Sequence, residues 1–388
     1  MPLFKMSNVV RRCKIIYQLE TQFTQIGNRS ETETGAVSTP IHLSTAYRHE
    51  TLGVSTGYDY TRTKNPTRSL VEAAIADLEG GVRGFATASG MSAIQLVLSL
   101  LRSGDHLICS RDVYGGTYRL FADYTERYGI EVSYLDLTDP SRLKQAIQPN
   151  TAAIFVETPT NPLLEVTPIA VISELAKTHD VQLIVDNTFM TPFLQQPLVL
   201  GADVVVHSAS KFLAGHNDCL AGLVVAKDEP TADLLTAALN NGGSVLSAFD
   251  SWLLIRGMKT LPLRMKAQVE NAQALVTCLK RHPSITTVRY PNQGAMISFS
   301  VRDEVLVAPF LQQLRLISFA ESLGGVESFI TYPTTQTHAD IPEQMRSERG
   351  ITRKLLRFSV GIEASVDLIA DITQALERAE QIVSPNNT

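Results

Sequence analysis

The chain has 388 residues, of which 44% are hydrophobic and 19% are charged, and its formal net charge is −5. A single hydrophobic core rarely fills a chain of this length, so two domains are expected. The slightly acidic balance gives no reason to expect a nucleic acid or an anionic membrane surface as a partner. No apolar run approaches the ~18 residues that a membrane-spanning helix requires.

The cysteines and the N-terminal stretch bear on the compartment in which the protein works. Cys13, Cys109, Cys219 and Cys278 stand singly, without C-x-x-C spacing. This distribution favours neither a zinc site nor a disulfide framework and is typical of a reducing cytoplasm. The N-terminal stretch contains no continuous apolar core before a small-residue cleavage site, so we expect no signal peptide.

The N-terminal part of the chain is predicted to be extended. Residues 1–57 are rich in Thr, Ser, Glu and Gly and show no convincing secondary-structure pattern before Ile41. A segment of this kind is either disordered or packs on another subunit. A polar loop with tyrosines follows, and Asn65 and Pro66 then open a helix that Gly80 ends.

Strands and helices alternate from residue 84 to residue 225, which predicts a mainly parallel sheet covered by helices on both faces. Ligands of such sheets bind beyond the carboxyl ends of the strands. Asn161, Asp186 and Lys211 each lie just past an apolar, strand-like run. We therefore expect these three side chains to meet at one edge of the sheet.

The lysine carries the most specific chemistry of the three. Three β-branched residues at 204–206 predict a buried strand, and a polar turn with Ser208 and Ser210 leads to Lys211. Apolar surroundings lower the pKa of an amine and make it a better nucleophile, while hydroxyls and small residues let a phosphate approach the backbone. The pattern predicts a Schiff-base lysine that carries pyridoxal phosphate. A lone S-x-S-K sequence more often ends in a surface lysine, so the other strand ends must supply further contacts to the cofactor.

Three further places in the sequence are candidates for such contacts. Asp186 ends an apolar strand, where a carboxylate is costly unless it is paired, and a pyridinium nitrogen would pair with it. Gly90 and Met91 open a helix after a strand, and helix N-termini attract phosphate groups. Tyr114 precedes two glycines, which let a flat ring approach a planar ligand, although a plain turn fits this pattern equally well.

The chain changes character after about residue 240, where helices and alternating strands predict a second, smaller α+β domain. Glu321 and Ser322 come shortly before two glycines in this domain. Arg357 interrupts an apolar strand, which is typical either of a salt-bridged residue on an edge strand or of a bidentate clamp for a substrate carboxylate. The residues alone leave both alternatives open.

Seven motifs, in this order, make the chain resemble a known family. They are Y-D-Y-T-R-T-K-N-P-T-R, A-S-G-M-S-A, D-V-Y-G-G-T, E-T-P-T-N-P, V-D-N-T-F, H-S-A-S-K and S-L-G-G-V-E-S. The set resembles the Cys/Met-metabolism family of fold-type I enzymes that depend on pyridoxal phosphate, and the match covers nearly everything after about residue 20. Within this family, residues 46–49, 62–68 and 319–333 look most like the bacillus-type cystathionine γ-synthases that also act as O-acetylhomoserine thiol-lyases.

The resemblance implies a role for each candidate residue. The implied contacts to the cofactor are Lys211 as the Schiff-base lysine, Asp186 at the ring nitrogen, Tyr114 on the ring face, Asn161 at the ring hydroxyl, and Gly90, Met91, Ser208 and Ser210 at the phosphate. Tyr114 is also implied as an acid–base group beside the leaving group. Tyr60 and Arg62 are implied to reach the phosphate bound by a neighbouring subunit, and Ser322 and Arg357 are implied to bind the substrate carboxylate.

The implied fold is an α/β fold-type I transferase whose large domain has a mainly parallel sheet. Residues 1–57 form an arm on a neighbouring subunit, residues 58–240 bind the cofactor, and residues 241–388 form the smaller α+β domain. The family is usually tetrameric, so the resemblance implies a homotetramer with active sites shared between subunits. Only residues 292–294 separate Pro291 from the next strand, where many members have a longer segment, so any oligomer contact made by that segment elsewhere stays open here.

The implied reaction is replacement at the γ-carbon of O-acetylhomoserine or O-succinylhomoserine, a step of methionine biosynthesis. Cysteine as the acceptor gives cystathionine, and sulfide gives homocysteine. Asp59 and Glu321 favour this synthase activity, because acidic groups near the substrate can hold the ammonium of an incoming cysteine. A cystathionine β- or γ-lyase of the same family stays the alternative, since it would use the same lysine and ring contacts.

Two other classes of protein are disfavoured. A binding or regulatory protein with this fold but no turnover would be expected to lose one of Lys211, Asp186 and Arg357, and all three are intact. An NAD-binding protein is disfavoured because no G-x-G-x-x-G follows a predicted strand. The sequence leaves the identity of the acyl group open, and likewise the choice between cysteine and sulfide.

Overall fold

A computed structural model describes residues 17–384 of the chain. Residues 1–16, which hold most of the stretch considered for a signal peptide and the start of the predicted arm, lie outside the described part. The helices are α1 (Leu19–Thr24), α2 (Pro66–Glu79), α3 (Gly90–Leu98), α4 (Gly115–Tyr128), α5 (Pro140–Ala146), α6 (Ile169–Thr178), α7 (Thr191–Leu194), α8 (Glu229–Gly242), α9 (Ala248–Met258), α10 (Leu261–Arg281), α11 (Val307–Gln313), α12 (Glu343–Arg349) and α13 (Ser365–Val383). None of these helices is both long enough and apolar enough to cross a bilayer.

The strands form two sheets. They are β1 (Arg83–Thr87), β2 (His106–Ser110), β3 (Glu131–Leu135), β4 (Thr151–Glu157), β5 (Gln182–Asp186), β6 (Val204–Ser208), β7 (Gly222–Ala226), β8 (Ile285–Arg289), β9 (Met296–Val301), β10 (Ser318–Phe319), β11 (Phe329–Thr331) and β12 (Leu355–Ser359). The larger sheet has the order β1-β7-β6-β5-β4-β2-β3, and the smaller has the order β10-β11-β12-β9-β8.

The larger sheet is mainly parallel, as the alternation of strands and helices predicts. Only β7 runs antiparallel to its two neighbours, β1 and β6. Helices α3, α4 and α8 cover one face through buried residues such as Ile94 and Phe121, and α2, α6 and α9 cover the other through residues such as Val71 and Ile172. Two covered faces explain why strands such as β7 are buried at every position.

The smaller sheet is mainly antiparallel and belongs to the C-terminal part of the chain. One face packs against α10, α11 and α13 through an apolar cluster that includes Leu275, Phe310 and Leu368. The other face meets the loop after β4, where the Ser298 hydroxyl donates to the Pro162 carbonyl oxygen over 2.5 Å. Side chains of β12 and β9 on this second face therefore lie beside the carboxyl end of the larger sheet.

One helix lies where the sequence analysis found no element. Helix α1 buries Phe23 completely, and the Phe23 ring packs edge-on against Phe193 with centroids 6.5 Å apart. Glu20 of this helix also pairs with Lys266 of α10 over 3.0 Å. A six-residue helix is too short to show an apolar periodicity or to be stable alone, so its formation depends on these contacts with the same chain.

Candidate active site

A cavity of about 390 Å³ lies beyond the carboxyl ends of β4, β5 and β6. These three strands end at Glu157, Asp186 and Ser208. Most of the residues singled out in the sequence line the cavity, namely Gly90, Met91, Tyr114, Asn161, Asp186, Ser208, Ser210, Lys211, Glu321, Ser322 and Arg357. A larger groove of about 890 Å³ between α10 and α13 is open to solvent and holds none of them. Parallel strands end at the same edge, which is why residues distant in sequence meet here.

Lys211 lies inside this cavity, on a turn that buried contacts hold in place. Its Nζ donates to the Ser322 hydroxyl over 3.3 Å, and burial together with the nearby Arg357 charge lowers its pKa to about 8. Two further contacts fix the turn that carries it. The buried Arg264 donates to the Phe212 carbonyl oxygen over 2.8 Å, and Gly324 lies so close that a Cβ there would stand 2.5 Å from the Phe212 nitrogen. The pKa of the amine therefore lies closer to neutral pH than that of an exposed lysine, and the turn that carries it is held in place.

Asp186 presents a carboxylate whose position is set by its own turn. Its Oδ1 accepts the Thr188 N–H over 2.9 Å and the Thr188 hydroxyl over 2.6 Å. Burial raises the pKa of Asp186, and these two hydrogen bonds oppose the rise. A cationic ring nitrogen in the cavity would lower the cost of keeping this carboxylate charged.

The opposite wall of the cavity is suited to a phosphate. Ser89 caps α3 by accepting the Ser92 N–H over 3.1 Å, so the helix opens onto the cavity at Gly90 and Met91. A Cβ on Gly90 would stand 2.7 Å from the Ser208 hydroxyl oxygen, so a side chain there would fill this recess. The N-terminus of a helix, small residues and serine hydroxyls together form a cradle for an anion.

Tyr114 stands at the start of α4, on the side of the cavity near Met91. Its N–H donates to Glu157 Oε2 over 3.0 Å. A Cβ on Gly116 would lie 2.5 Å from Cε1 of the Tyr114 ring, so the ring reaches this position only over a glycine. The flat face of the ring is thus available to a planar ligand.

Arg357 is buried in the interior of the smaller sheet, between β11 and β9. Nη1 donates to Asn161 Oδ1 over 2.9 Å, and Nη2 donates to the Ser322 carbonyl oxygen and to the Thr331 hydroxyl, each over 3.1 Å. Its Nε has no partner, and burial lowers its pKa to about 10. All its partners are neutral and β12 is not an edge strand, so the salt-bridged edge residue considered above is ruled out. A buried cation with a free N–H is suited to an incoming carboxylate.

Three predicted residues lie away from this cavity within the chain. Arg62 donates through Nη1 to Asn240 Oδ1 over 3.0 Å, Tyr60 is about half exposed, and Asp59 pairs with His49 Nε2 over 2.9 Å. The buried Arg68 holds the loop that carries these residues by donating to the Thr61 carbonyl oxygen over 2.7 Å. The fold therefore presents these residues outward and does not bring them to Lys211.

Sequence reasoning missed several residues that shape the site. Thr188 lies two positions after Asp186, a spacing that permits an Asx-type turn and could have been recognised. Glu157 ends its strand just as Asp186 does. His338 donates from Nε2 to the Asn161 carbonyl oxygen over 2.9 Å, and burial lowers its pKa to about 4. No sequence signal links His338 to Asn161, because the contact joins positions far apart in the chain.

Comparison with known proteins identifies the family. Residues 20–377 match the family described as Cys/Met metabolism PLP-dependent enzyme. The cystathionine gamma-synthase/O-acetylhomoserine (thiol)-lyase of Bacillus subtilis is 58% identical over 92% of this chain and 96% of that protein. The cystathionine gamma-lyase of Bacillus subtilis is 47% identical over 90% of this chain and 97% of that protein.

A solved structure agrees with these similarities. The cystathionine gamma synthase from Xanthomonas oryzae pv. oryzae, in complex with aminoacrylate and cysteine, superposes with a TM-score of 0.92. It is 39% identical, and the match covers 94% of this chain and 99% of that one. The predicted α/β fold-type I architecture is thereby confirmed. The chain belongs to the Cys/Met-metabolism family of enzymes that depend on pyridoxal phosphate.

Proposed function

We propose that the substrate of this enzyme is an O-acylhomoserine, either O-acetylhomoserine or O-succinylhomoserine. The enzyme replaces the γ-substituent of this substrate with cysteine, and the product is cystathionine. Sulfide is the second acceptor and gives homocysteine, and both reactions serve methionine biosynthesis. The observation that carries the proposal is the meeting of Lys211, Arg357 and Glu321 in one cavity. Lys211 supplies a base, Arg357 supplies an anchor for the α-carboxylate of the substrate, and Glu321 supplies a carboxylate for the ammonium group of the incoming cysteine.

The residues of the cavity fit pyridoxal phosphate. Asp186 would face the ring nitrogen, Tyr114 the ring face and Asn161 the ring hydroxyl. The phosphate would lie at Gly90, Met91, Ser208 and Ser210, where the Gly90 recess and the start of α3 suit an anion. When bound, the cofactor supplies an electron sink for the α-carbon of the amino acid.

Lys211 is the proposed catalytic base. A pKa of about 8 in a largely buried amine lies close to the working pH, where a base transfers protons most effectively. Lys211 would take the proton from the α-carbon, release it within the bound substrate and cofactor, and then take a proton from the β-carbon. The Cγ–O bond would then break, and the acyloxy group would leave as a carboxylate. Tyr114 would hold a proton near the leaving group.

Arg357 is the proposed anchor of the substrate. The Nε of Arg357 has no partner, and its other N–H groups contact only neutral oxygens, so the guanidinium can receive the α-carboxylate. Ser322 lies beside the guanidinium. Fixing this carboxylate would orient the Cα–H bond toward Lys211, and such orientation can supply a large share of a rate enhancement. The γ-ester would then extend toward Tyr114.

The acceptor amino acid needs a place for its own ammonium group. Glu321 is exposed at the mouth of the cavity and can receive that group. Asp59 would join it from a neighbouring subunit, together with Tyr60 and Arg62 at the phosphate. This division assigns residues 1–57 to an arm on a neighbouring subunit, except for the contacts of α1 with its own chain. Residues 58–240 form the cofactor domain and residues 241–388 the smaller domain, within a cytoplasmic homotetramer.

A cystathionine β- or γ-lyase is the second candidate, because it would use the same lysine, aspartate and arginine. The lower identity to the Bacillus subtilis γ-lyase, 47% against 58%, favours the synthase. Assays of purified enzyme with O-acetylhomoserine plus cysteine or sulfide, beside an assay with cystathionine alone, separate the two. Faster cleavage of cystathionine than replacement under matched conditions would overturn the synthase proposal.

A further inference from the structure

Two carboxyl groups lie side by side in the cavity, although the proposed chemistry uses only one of them. Glu157 and Asp186 are register partners on the adjacent parallel strands β4 and β5, so their side chains point to the same face of the sheet. Both line the cavity. Glu157 is the more deeply buried, with 6% of its surface exposed. Two carboxyl groups on adjacent strands, both largely removed from water, cannot both be ionised without a large cost.

Hydrogen bonds decide which of the two carries the charge. Asp186 accepts two donors, the N–H and the hydroxyl of Thr188. Glu157 accepts the single N–H of Tyr114. Arg357, the cation whose charge acts on Glu157, directs its own N–H groups to the neutral oxygens of Asn161, Ser322 and Thr331. The charge is therefore better stabilised on Asp186.

We propose that Glu157 is held as the uncharged acid and acts as a positioning residue, which fixes Tyr114 at the start of α4 and leaves Asp186 as the single anion that would face the ring nitrogen of the cofactor. The proposal rests on the proposed assignment of Asp186 to the ring nitrogen. An uncharged neighbour lets the whole Asp186 charge act on that nitrogen. A second carboxylate would compete with Asp186 for the same cation.

The groups that face Glu157 shift its pKa, on balance, in the direction that favours the uncharged acid. Burial raises the pKa of Glu157 well above its usual range, and the nearby Asp186 and Asp112 raise it further. The Tyr114 N–H and the Arg357 charge oppose this rise but are outweighed by burial. Cys109, on the neighbouring strand β2, is a thiol whose own pKa is raised by burial, so it adds no charge.

Infrared difference spectra of the holoenzyme test the charge state directly. At neutral pH the wild type should show the C=O stretch of a protonated carboxylic acid, and Glu157→Gln should lose it. Asp112→Asn is the control, because Asp112 is a second buried acid whose pKa burial raises to about 6. In Asp186→Asn the band should titrate away at lower pH than in the wild type, since the like charge is gone. A wild-type spectrum without the band, or a band lost in Asp112→Asn alone, overturns the proposal.

The pH dependence of stability gives an independent readout. A carboxyl whose pKa is raised by folding keeps its proton in the folded chain above about pH 4.3, where an unfolded glutamate releases it. The stability due to that proton is lost as the pH rises toward the folded pKa. The free energy of unfolding of Glu157→Gln, relative to the wild type, should therefore rise with pH. A difference that is flat or falls with pH contradicts the proposal.

The proposed role of Glu157 in positioning Tyr114 can be tested through the spectrum of the bound cofactor. Glu157→Gln keeps an acceptor for the Tyr114 N–H, whereas Glu157→Leu removes it. The visible circular dichroism of the bound cofactor should change in Glu157→Leu and should be restored in Glu157→Gln. Equal spectra for the two variants would overturn the link to Tyr114. The titration of the infrared band in the wild type requires no variant, so the charge state can be tested even if a variant does not fold.

A separate result tests the assumption beneath the proposal. If the cofactor absorbance of Asp186→Asn equals that of the wild type, the assignment of Asp186 to the ring nitrogen fails. If Asp186→Asn changes the absorbance as expected and the infrared band is absent, only the inference about Glu157 fails.

Discussion

The cavity around Lys211 and the loop of residues 57–64 are held by the chain in different ways. In the cavity, Lys211, Asp186 and Arg357 each contact partners of the same chain that are buried or half-buried. In the loop, Arg68 holds the backbone through carbonyl oxygens, whereas Tyr60 and Asp59 are exposed side chains. The cavity is thus built by contacts within a single chain, whereas the loop leaves the side chains of Tyr60 and Asp59 exposed.

The largest loss of activity is expected from a substitution at the centre of the cavity. On the proposed assignment, Lys211→Ala would remove both the covalent attachment of the cofactor and the base, so turnover should fall by on the order of 10⁴-fold or more. The visible absorbance that depends on the lysine should disappear, although cofactor can still bind through its phosphate. Lys144→Ala, an exposed lysine on α5, is the control. Normal turnover in Lys211→Ala would refute its assignment as the catalytic lysine.

A smaller loss is expected at Asp186. If Asp186 keeps the ring nitrogen protonated as proposed, an amide cannot replace its negative charge, so Asp186→Asn should raise the barrier by about 3 kcal/mol, or roughly 100-fold in kcat. The matched control is Asp203→Asn, since Asp203 precedes β6 at the far end of the sheet and accepts the Leu183 N–H over 2.8 Å. Steady-state kinetics measure the difference. An unchanged rate in Asp186→Asn would make this residue purely structural.

Mixing subunits of two inactive variants tests whether Arg62 of the loop acts in the cavity of a neighbouring subunit. Arg62→Ala and Lys211→Ala are each expected to be inactive, but a hybrid with one subunit of each has one site with both residues intact. Random mixing should restore about a quarter of the wild-type activity if the sites are shared across a two-fold interface. The control mixes Lys211→Ala with Asp186→Asn, two residues of the same cavity, and should restore nothing. Verified hybrids without activity would place Arg62 outside any shared site.

The smallest effect concerns the acceptor. Replacing Asp59 and Glu321 together by Ala should raise the KM for cysteine by roughly tenfold, equivalent to about 1.4 kcal/mol of binding. Sulfide carries no ammonium group, so its use should change little. Competing assays with the two acceptors measure the ratio, and Glu348→Ala, an exposed acid on α12, controls for general loss of negative charge. Equal losses with both acceptors would exclude the proposed ammonium site.

Much of this molecule was predictable from local patterns. Apolar β-branched runs separated by amphipathic stretches indicate a parallel sheet, and parallel strands must end at one edge, so the meeting of Asn161, Asp186 and Lys211 followed from their positions after such runs. Helix α1 could not be predicted this way, because its six residues depend on the contact of Phe23 with Phe193. Local signals fail where a short element depends on distant partners.

Local patterns in the chain are enough to place certain chemical groups at the strand ends: a lysine after hydroxyls, a carboxylate on a buried strand and a helix start suited to phosphate. The surroundings of each group follow from the folded arrangement of the whole chain. In that arrangement Arg357 lies among neutral oxygens, Glu157 stands beside Asp186, and the Tyr60 loop faces away from Lys211. Burial and the nearest charge set the state of an ionisable group, and both depend on strands and loops that are remote in the chain.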